Sequence, residues 1–212
     1  MKHTSLVAGL ALLALGSSFQ VSQAAVLLTD NFNSENGGVG AYNYTGFANW
    51  KVTSGSVDLI GAGGPYDFYS GNGLYVDLNG STGHPGQLTS DVIFAAGSYK
   101  LTFDLGGNAR GDGSKTTSVS FGLGTFSKSL TLASSAGLDT YTYTFTTTKA
   151  GSLVFTDAAG GNPNIGNILD NVTVATAVPE MSTWMMMLAG FAGLGFVSFR
   201  KAKKTTAGLA IA

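Results

Sequence analysis

Few side chains in this 212-residue sequence can do covalent chemistry. There is no Cys, so thiol nucleophiles, thiolate metal sites and disulfides are all excluded. His3 lies in the N-terminal segment, which reads as a removable signal and leaves His84, in the turn-forming "TGHPG", as the histidine of the body. A Ser-His-Asp triad needs that ring held between a Ser and an Asp, and no G-x-S-x-G elbow supports one. Zinc hydrolysis lacks ligands. A two-carboxylate glycosidase needs an acid raised by burial. Most Asp residues fall on outward strand positions or in turns, where water keeps them ionised. The reading is therefore of a protein that is not an enzyme, with the glycosidase as the remaining catalytic alternative and no catalytic residue assigned.

Two motifs in "GGNARGDG", residues 106–113, invite other chemistry. A phosphate-cradling Gly loop needs a following helix and, for the P-loop, a Lys after its last Gly, and neither is present. Arg110-Gly111-Asp112 reads as a hairpin turn built on Asp112-Gly113. Binding offers more. Asp30 near the first strand and Asp170 in the last meet if both termini lie at one edge of the fold. Such a pair, with Asn31, Asn33 and backbone carbonyls, has the hard oxygens of a cation site, or is a pair of solvated turn acids. The stretches "GAYNYTGFANW" and "GGPYDFYSGNG" concentrate Tyr42, Tyr44, Phe47, Trp50, Tyr66, Phe68 and Tyr69. Trp50 leads a strand and belongs to the core. Tyr66 and Tyr69, with Asp67 between them, flank a turn begun by Pro65. There they either stack on the apolar face of a sugar, with Asp67 accepting hydroxyls, or fold back over the edge of the domain.

The elements that must hold these residues alternate with period two. In "GSYKLTFDLGG", Tyr99, Leu101, Phe103 and Leu105 face one way and Lys100, Thr102 and Asp104 the other. "LDTYTYTFTTT" sets Tyr141, Tyr143 and Phe145 against Thr, and "GLYVDLNG" sets Leu74, Val76 and Leu78 against Tyr75 and Asp77. "TSVSFGLG", "GSLVFTD", "AVLLT", "NWKVT", "SVDLI" and "NILDNVTV" continue the pattern, giving about ten strands parted by Gly, Asn and Asp turns. One face in and one face out predicts packed antiparallel sheets: an all-β, jelly-roll-like sandwich over residues 25–177. That body is long enough to bury a core without disulfides. It carries 11 acidic residues against six basic ones, a net charge of −5, with no basic patch for nucleic acid.

The two ends read differently. Residues 1–24 have the three parts of a secretory signal: Lys2, the apolar Leu6–Leu15 stretch, and a Ser22-Gln23-Ala24 cleavage site. The body then leaves the cytoplasm through the Sec machinery. Residues 184–199 carry no charge and, as a helix, would run about 24 Å at ~1.5 Å per residue. They are read as a short transmembrane segment, with Trp184 at one interface and Arg200, Lys201, Lys203 and Lys204 snorkelling at the cytoplasmic one. Residues 205–212 form a short uncharged tail.

"VPEMSTW", "MMMLAGFAGLGFVSF" and "RKAKK", over residues 178–204, resemble the PEP-CTERM sorting signal of exosortase substrates. Pro179, Glu180 and Trp184 match its motif, and Arg200, Lys201, Lys203 and Lys204 its basic cluster; Met181 stands where the second Pro would be. The resemblance implies an exosortase-like processing enzyme as partner. It also implies a transient hold in the inner membrane, then cleavage near Pro179-Glu180 and a destination at the cell surface or outside the cell. Within the body, "NWKVTSGSVDLIG", "GLYVDLNGSTGHPGQL", "GSYKLTFDLGGNARG" and "ILDNVTV" follow the order seen in galactose-binding-like jelly-roll domains. That resemblance implies sugar binding, sometimes with a structural calcium, although Asn33 replaces the Glu common after the early Phe. The function expected is an exported, non-catalytic sandwich that binds extracellular carbohydrate. The alternative is a structural envelope or matrix protein without a discrete ligand.

Overall fold

The computed structural model describes residues 23–122, 126–158, 162, 164–177, 185 and 187–196. The body, Ala24–Val178, is a unit of its own. Its described residues form eleven strands: β1 (Val26–Asp30), β2 (Trp50–Ser54), β3 (Asp58–Gly61), β4 (Leu74–Asp77), β5 (Gln87–Ser90), β6 (Gly97–Gly106), β7 (Ser114–Phe121), β8 (Phe126–Ala133), β9 (Asp139–Thr147), β10 (Leu153–Asp157) and β11 (Ile168–Thr176). One sheet runs β3-β4-β11-β6-β9 with β1 added against β11, and the other runs β2-β5-β10-β7-β8. Every pairing between these strands is antiparallel. The architecture is the two-sheet sandwich expected.

Alternation explains the core. On β6, Tyr99, Leu101, Phe103 and Leu105 are buried, while Lys100 is exposed and Thr102 and Asp104 are half-buried. Phe103 meets Phe155 of the other sheet edge-to-face, with ring centroids 5.1 Å apart, a favourable arrangement of aromatic quadrupoles. Trp50 is buried as expected and donates its Nε1–H to Asp30 Oδ2 at 3.0 Å. The outward Thr and Ser side chains pair across strands, as in Ser98–Thr146 at 2.7 Å and Thr116–Thr131 at 2.7 Å.

β11 organises the first sheet. Its whole length pairs with β6, while its other edge meets β4 through Ile168 and Leu169 and then β1 from Val172 onward. The register slips between Asp170 and Thr173, where the change of partner occurs, and Asn171 takes a φ of 50° there. This bulge turns Asp170 inward, next to Asp30 at the end of β1.

β4 departs from the expected pattern. Leu74, Val76 and Leu78 face the main core, but Tyr75 and Asp77 on the opposite side are buried too. The 62–73 segment between β3 and β4 folds back over that face. Tyr75, Ile60 and Ile168 then form a second small core with Phe68, Tyr69 and Leu138 against it. Gly73, at φ 81°, closes the segment where any Cβ would collide with the Asn33 side chain.

Residues 187–196 are helical, and among the described residues no helix is long and apolar enough to cross a membrane. The sorting-motif residues Pro179, Glu180, Trp184, Arg200, Lys201, Lys203 and Lys204 lie outside the described residues. So do residues 1–22, the flanks of the 184–199 segment and the 205–212 tail.

Candidate functional site

An apolar cleft of about 450 Å³ opens at the β3 edge of the sandwich. One wall is the 38–42 segment, tied to the edge by Ala41 N–H to Leu59 O at 2.8 Å and Leu59 N–H to Ala41 O at 2.9 Å. The floor is Leu59 to Gly61, and the other wall is the start of the 62–73 segment, through Pro65 and Tyr66. Two rings stand at its mouth, Tyr42 at 54% exposure and Tyr66 at 38%, with centroids 6.1 Å apart and planes inclined at 63°. No residue lining the cleft carries a charge.

The sequence grouped Tyr66, Asp67 and Tyr69, and the structure separates them. Only Tyr66 lines the cleft. The Asp67 carboxylate turns back on its own loop, where Oδ2 accepts the Gly63 N–H at 2.9 Å. Tyr69 is half-buried, its ring edge-on to Tyr75 and its hydroxyl directed at the carbonyls of Gly107, at 2.5 Å, and Ala136, at 2.8 Å. Burial, with Tyr75 and Asp139 nearby, pushes the Tyr69 phenol up to about 12. Tyr69 thus fastens the loop to the sandwich. Tyr42 takes its place beside Tyr66, and no local signal distinguished it from the other aromatics of its stretch.

Two further residues hold the wall. The Tyr75 hydroxyl accepts the amides of Phe68 and Tyr69 and donates to Tyr66 O at 2.9 Å. Behind Tyr66, the Arg110 guanidinium lies 4.7 Å from its ring centroid and 5.1 Å from that of Phe68. Arg110 Nη2 donates to Asp77 Oδ2 at 2.7 Å and Nη1 to Asn164 O at 2.9 Å. Asp112 pairs with Lys115 at 2.9 Å, so both charges of the Arg110-Gly111-Asp112 turn face inward partners.

The expectation that the Asp residues stay in water needs correction. Asp77, Asp157 and Asp170 are buried, and loss of hydration is the first cause raising each carboxyl, to about 6, 7 and 7 respectively. None of them lines the cleft. A general acid must reach the substrate proton, so these acids have no route to a ligand held between Tyr42 and Tyr66. His84 is exposed in its turn.

Asp30 and Asp170 do approach each other, close enough for Asp30, with Asp104, to raise the Asp170 carboxyl. Asp30 is largely committed: Oδ1 accepts the Phe32 N–H at 2.8 Å, and Oδ2 accepts Asn49 Nδ2 and Trp50 Nε1, both at 3.0 Å. Asn33 Oδ1 accepts the Leu74 N–H at 2.6 Å. Asp170 Oδ2 is buried without a hydrogen-bond partner. A polar groove of about 320 Å³ lies alongside, lined by Asp30, Asn31, Asn49 and Asn171 among others. Among the described residues, no three acidic or imidazole side chains are grouped to hold a metal ion.

A family model described as a protein of unknown function, DUF642, matches residues 29–175. The chain belongs to the DUF642 family. No curated protein matches it. Among solved structures, this DUF642 chain is similar to the K3 cleaved adhesin domain of Lys-gingipain from Porphyromonas gingivalis. The two are 15% identical with a TM-score of 0.51, covering 73% of this chain and all of the adhesin domain. That likeness establishes a shared sandwich fold. The CBM22-1–GH10 modules of Clostridium thermocellum xylanase 10B, solved with xylohexaose, are 14% identical with a TM-score of 0.43, over 72% of this chain and 28% of that one. The C-terminal CBM6 of LamC, a marine laminarinase from Zobellia galactanivorans, is 13% identical with a TM-score of 0.39, over 73% of this chain and all of the module.

Proposed function

We propose that this DUF642 chain is an exported, non-catalytic module that binds carbohydrate through the Tyr42–Tyr66 cleft. The observation that carries the reading is a pair of partly exposed tyrosines at the mouth of an uncharged cleft. Such rings offer apolar faces to the C–H groups of a sugar, and their hydroxyls and the glycine-rich backbone around them offer hydrogen bonds. Export through a signal at residues 1–24, and sorting by an exosortase-like enzyme acting near Pro179-Glu180, belong to the same proposal and rest on the sequence pattern of the two ends. They would place the cleft where extracellular polysaccharide is available.

The reading extends to a structural calcium ion beside Asp170. Asp170 Oδ2, buried and uncommitted, is the oxygen a hard cation would take, with neighbouring amide and backbone oxygens completing the set and Asp30 joining only by giving up one of its hydrogen bonds. A structural envelope protein without a ligand is the second reading, favoured by the way Phe68 and Tyr69 fold back onto the sandwich.

Affinity electrophoresis separates these readings. Tyr42→Ala with Tyr66→Ala should abolish retardation by a polysaccharide that retards the parent, with the melting temperature within a few degrees of the parent's. A parent that no glycan retards, or a folded double variant still retarded to the parental degree, overturns the cleft as the binding site.

A further inference from the structure

The two rings of the cleft do not lie in one plane, and a residue on the far side of Tyr66 lies against its ring. Arg110 leaves the β6–β7 turn, its backbone N–H bonded to Asn108 Oδ1 at 3.0 Å, and its side chain runs inward. The guanidinium is fixed at one end by the fully buried Asp77, whose Oδ1 in turn accepts the amides of Gly166 at 2.8 Å and Asn79 at 3.0 Å. Its flat cation then supports both Tyr66 and Phe68. Tyr66 is thereby braced against a strand of the sheet, and the face nearest Arg110 is closed to any ligand.

Resting on the carbohydrate-binding reading above, we infer that Arg110 is a positioning residue that sets the inclination of Tyr66, and that the cleft consequently takes a single uncharged glycan chain and not an ordered polysaccharide surface. Two rings inclined at 63° cannot both lie on a flat lattice. They can follow one chain whose successive residues turn relative to each other. Charge narrows the class further. The lining is uncharged, and the cation against Tyr66, Arg110, is already bonded to Asp77 and Asn164. A polyanion would meet the net charge of −5 carried by 11 acidic and six basic residues of the body, with no free counter-charge at the cleft.

The test uses the folded body with three sets of probes. Dextran, galactan and laminarin serve as soluble neutral chains in affinity gels, alginate and polygalacturonate as soluble polyanions, and microcrystalline cellulose and chitin as solids in depletion assays. At least one neutral chain should retard the protein, the polyanions should not, and the solids should leave it in solution. Arg110→Lys keeps a cation opposite Asp77 but removes the flat support. It should weaken neutral-chain binding about tenfold, the scale of one cation–π contact. That loss should vanish in a Tyr66→Ala background, because Arg110 acts through that ring; a general loss of structure would persist there. Depletion by a solid or retardation by a polyanion overturns the ligand class while leaving carbohydrate binding intact. Full binding by a folded Arg110→Lys variant overturns the positioning role. Should no probe bind at all, both this inference and the proposed function fall. The comparison among the three sets of probes needs no variant, so it stands even where Arg110→Lys does not fold.

Discussion

Asp157 and Asp170 carry carboxyls held near 7 inside a sandwich that must work in water. For Asp157 the cause after burial is the charge of Asp77, and for Asp170 the charges of Asp104 and Asp30. An acid whose folded value lies above its ordinary 3.8 binds its proton more tightly in the folded state. The stability it contributes is full below about 3.8 and is lost as pH rises through about 7. The melting temperature should therefore rise between pH 8 and pH 5, and Asp157→Asn should remove part of that rise. Calcium gives a second arm: at pH 8, millimolar calcium should raise the melting temperature of the parent and leave Asp170→Asn unmoved. A flat profile without calcium would mean that both acids stay ionised, and indifference to calcium would mean that Asp170 relies on a proton instead. Tyr66 and Trp50 were legible in the sequence, since a ring beside a Pro-led turn and a ring opening a strand have different surroundings. Arg110 was not, because its partner Asp77 lies 33 positions away and no local pattern encodes that pairing. For Tyr69 the sequence left two placements open, and the fold-back one rests on carbonyls at positions 107 and 136 that no local pattern encodes.

At the scale of the strands, alternation carried most of the information. β6 and β9 could be assigned to their faces because each sets aromatic or aliphatic residues strictly against polar ones. Phe103→Ala in β6 should cost ~3–5 kcal/mol in chemical denaturation, since the ring is fully buried between the sheets. A loss below ~1 kcal/mol would show that its face of the strand is not the core face. β8 and β5 did not stand out. From Ser127 to Ala133, β8 has no fully buried residue; Phe126 is buried at its start, and Leu130 and Leu132 pack against the core only half-buried. β5 is four residues long and follows a turn rich in Gly and Pro. The opposite difficulty arose at β4, whose outward residues read as solvent-facing until the 62–73 loop that precedes the strand is folded back over them. Periodicity reports which side of a strand a residue occupies, and says nothing of what later covers that side.

At the scale of the whole chain, the processing proposed for the two ends predicts a defined product. A full-length chain expressed with a matching exosortase should release a body that ends near Pro179-Glu180, and without that enzyme it should stay in the membrane fraction. Mass spectrometry of released protein still carrying Phe199 would overturn the sorting proposal. The body itself has a property that follows from where its chain enters and leaves. β1 pairs antiparallel with the end of β11, and Ala25 N–H donates to Thr176 Oγ1 while Thr176 N–H donates to Ala25 O, both at 2.9 Å. Entrance and exit therefore sit side by side at one corner. A stretching force applied through both ends peels this pair open one hydrogen bond at a time, like a zip, and detaches β1 at low load. A sandwich loaded only through the end that follows β11 leaves β1 outside the path of the force, and its first strand stays in place.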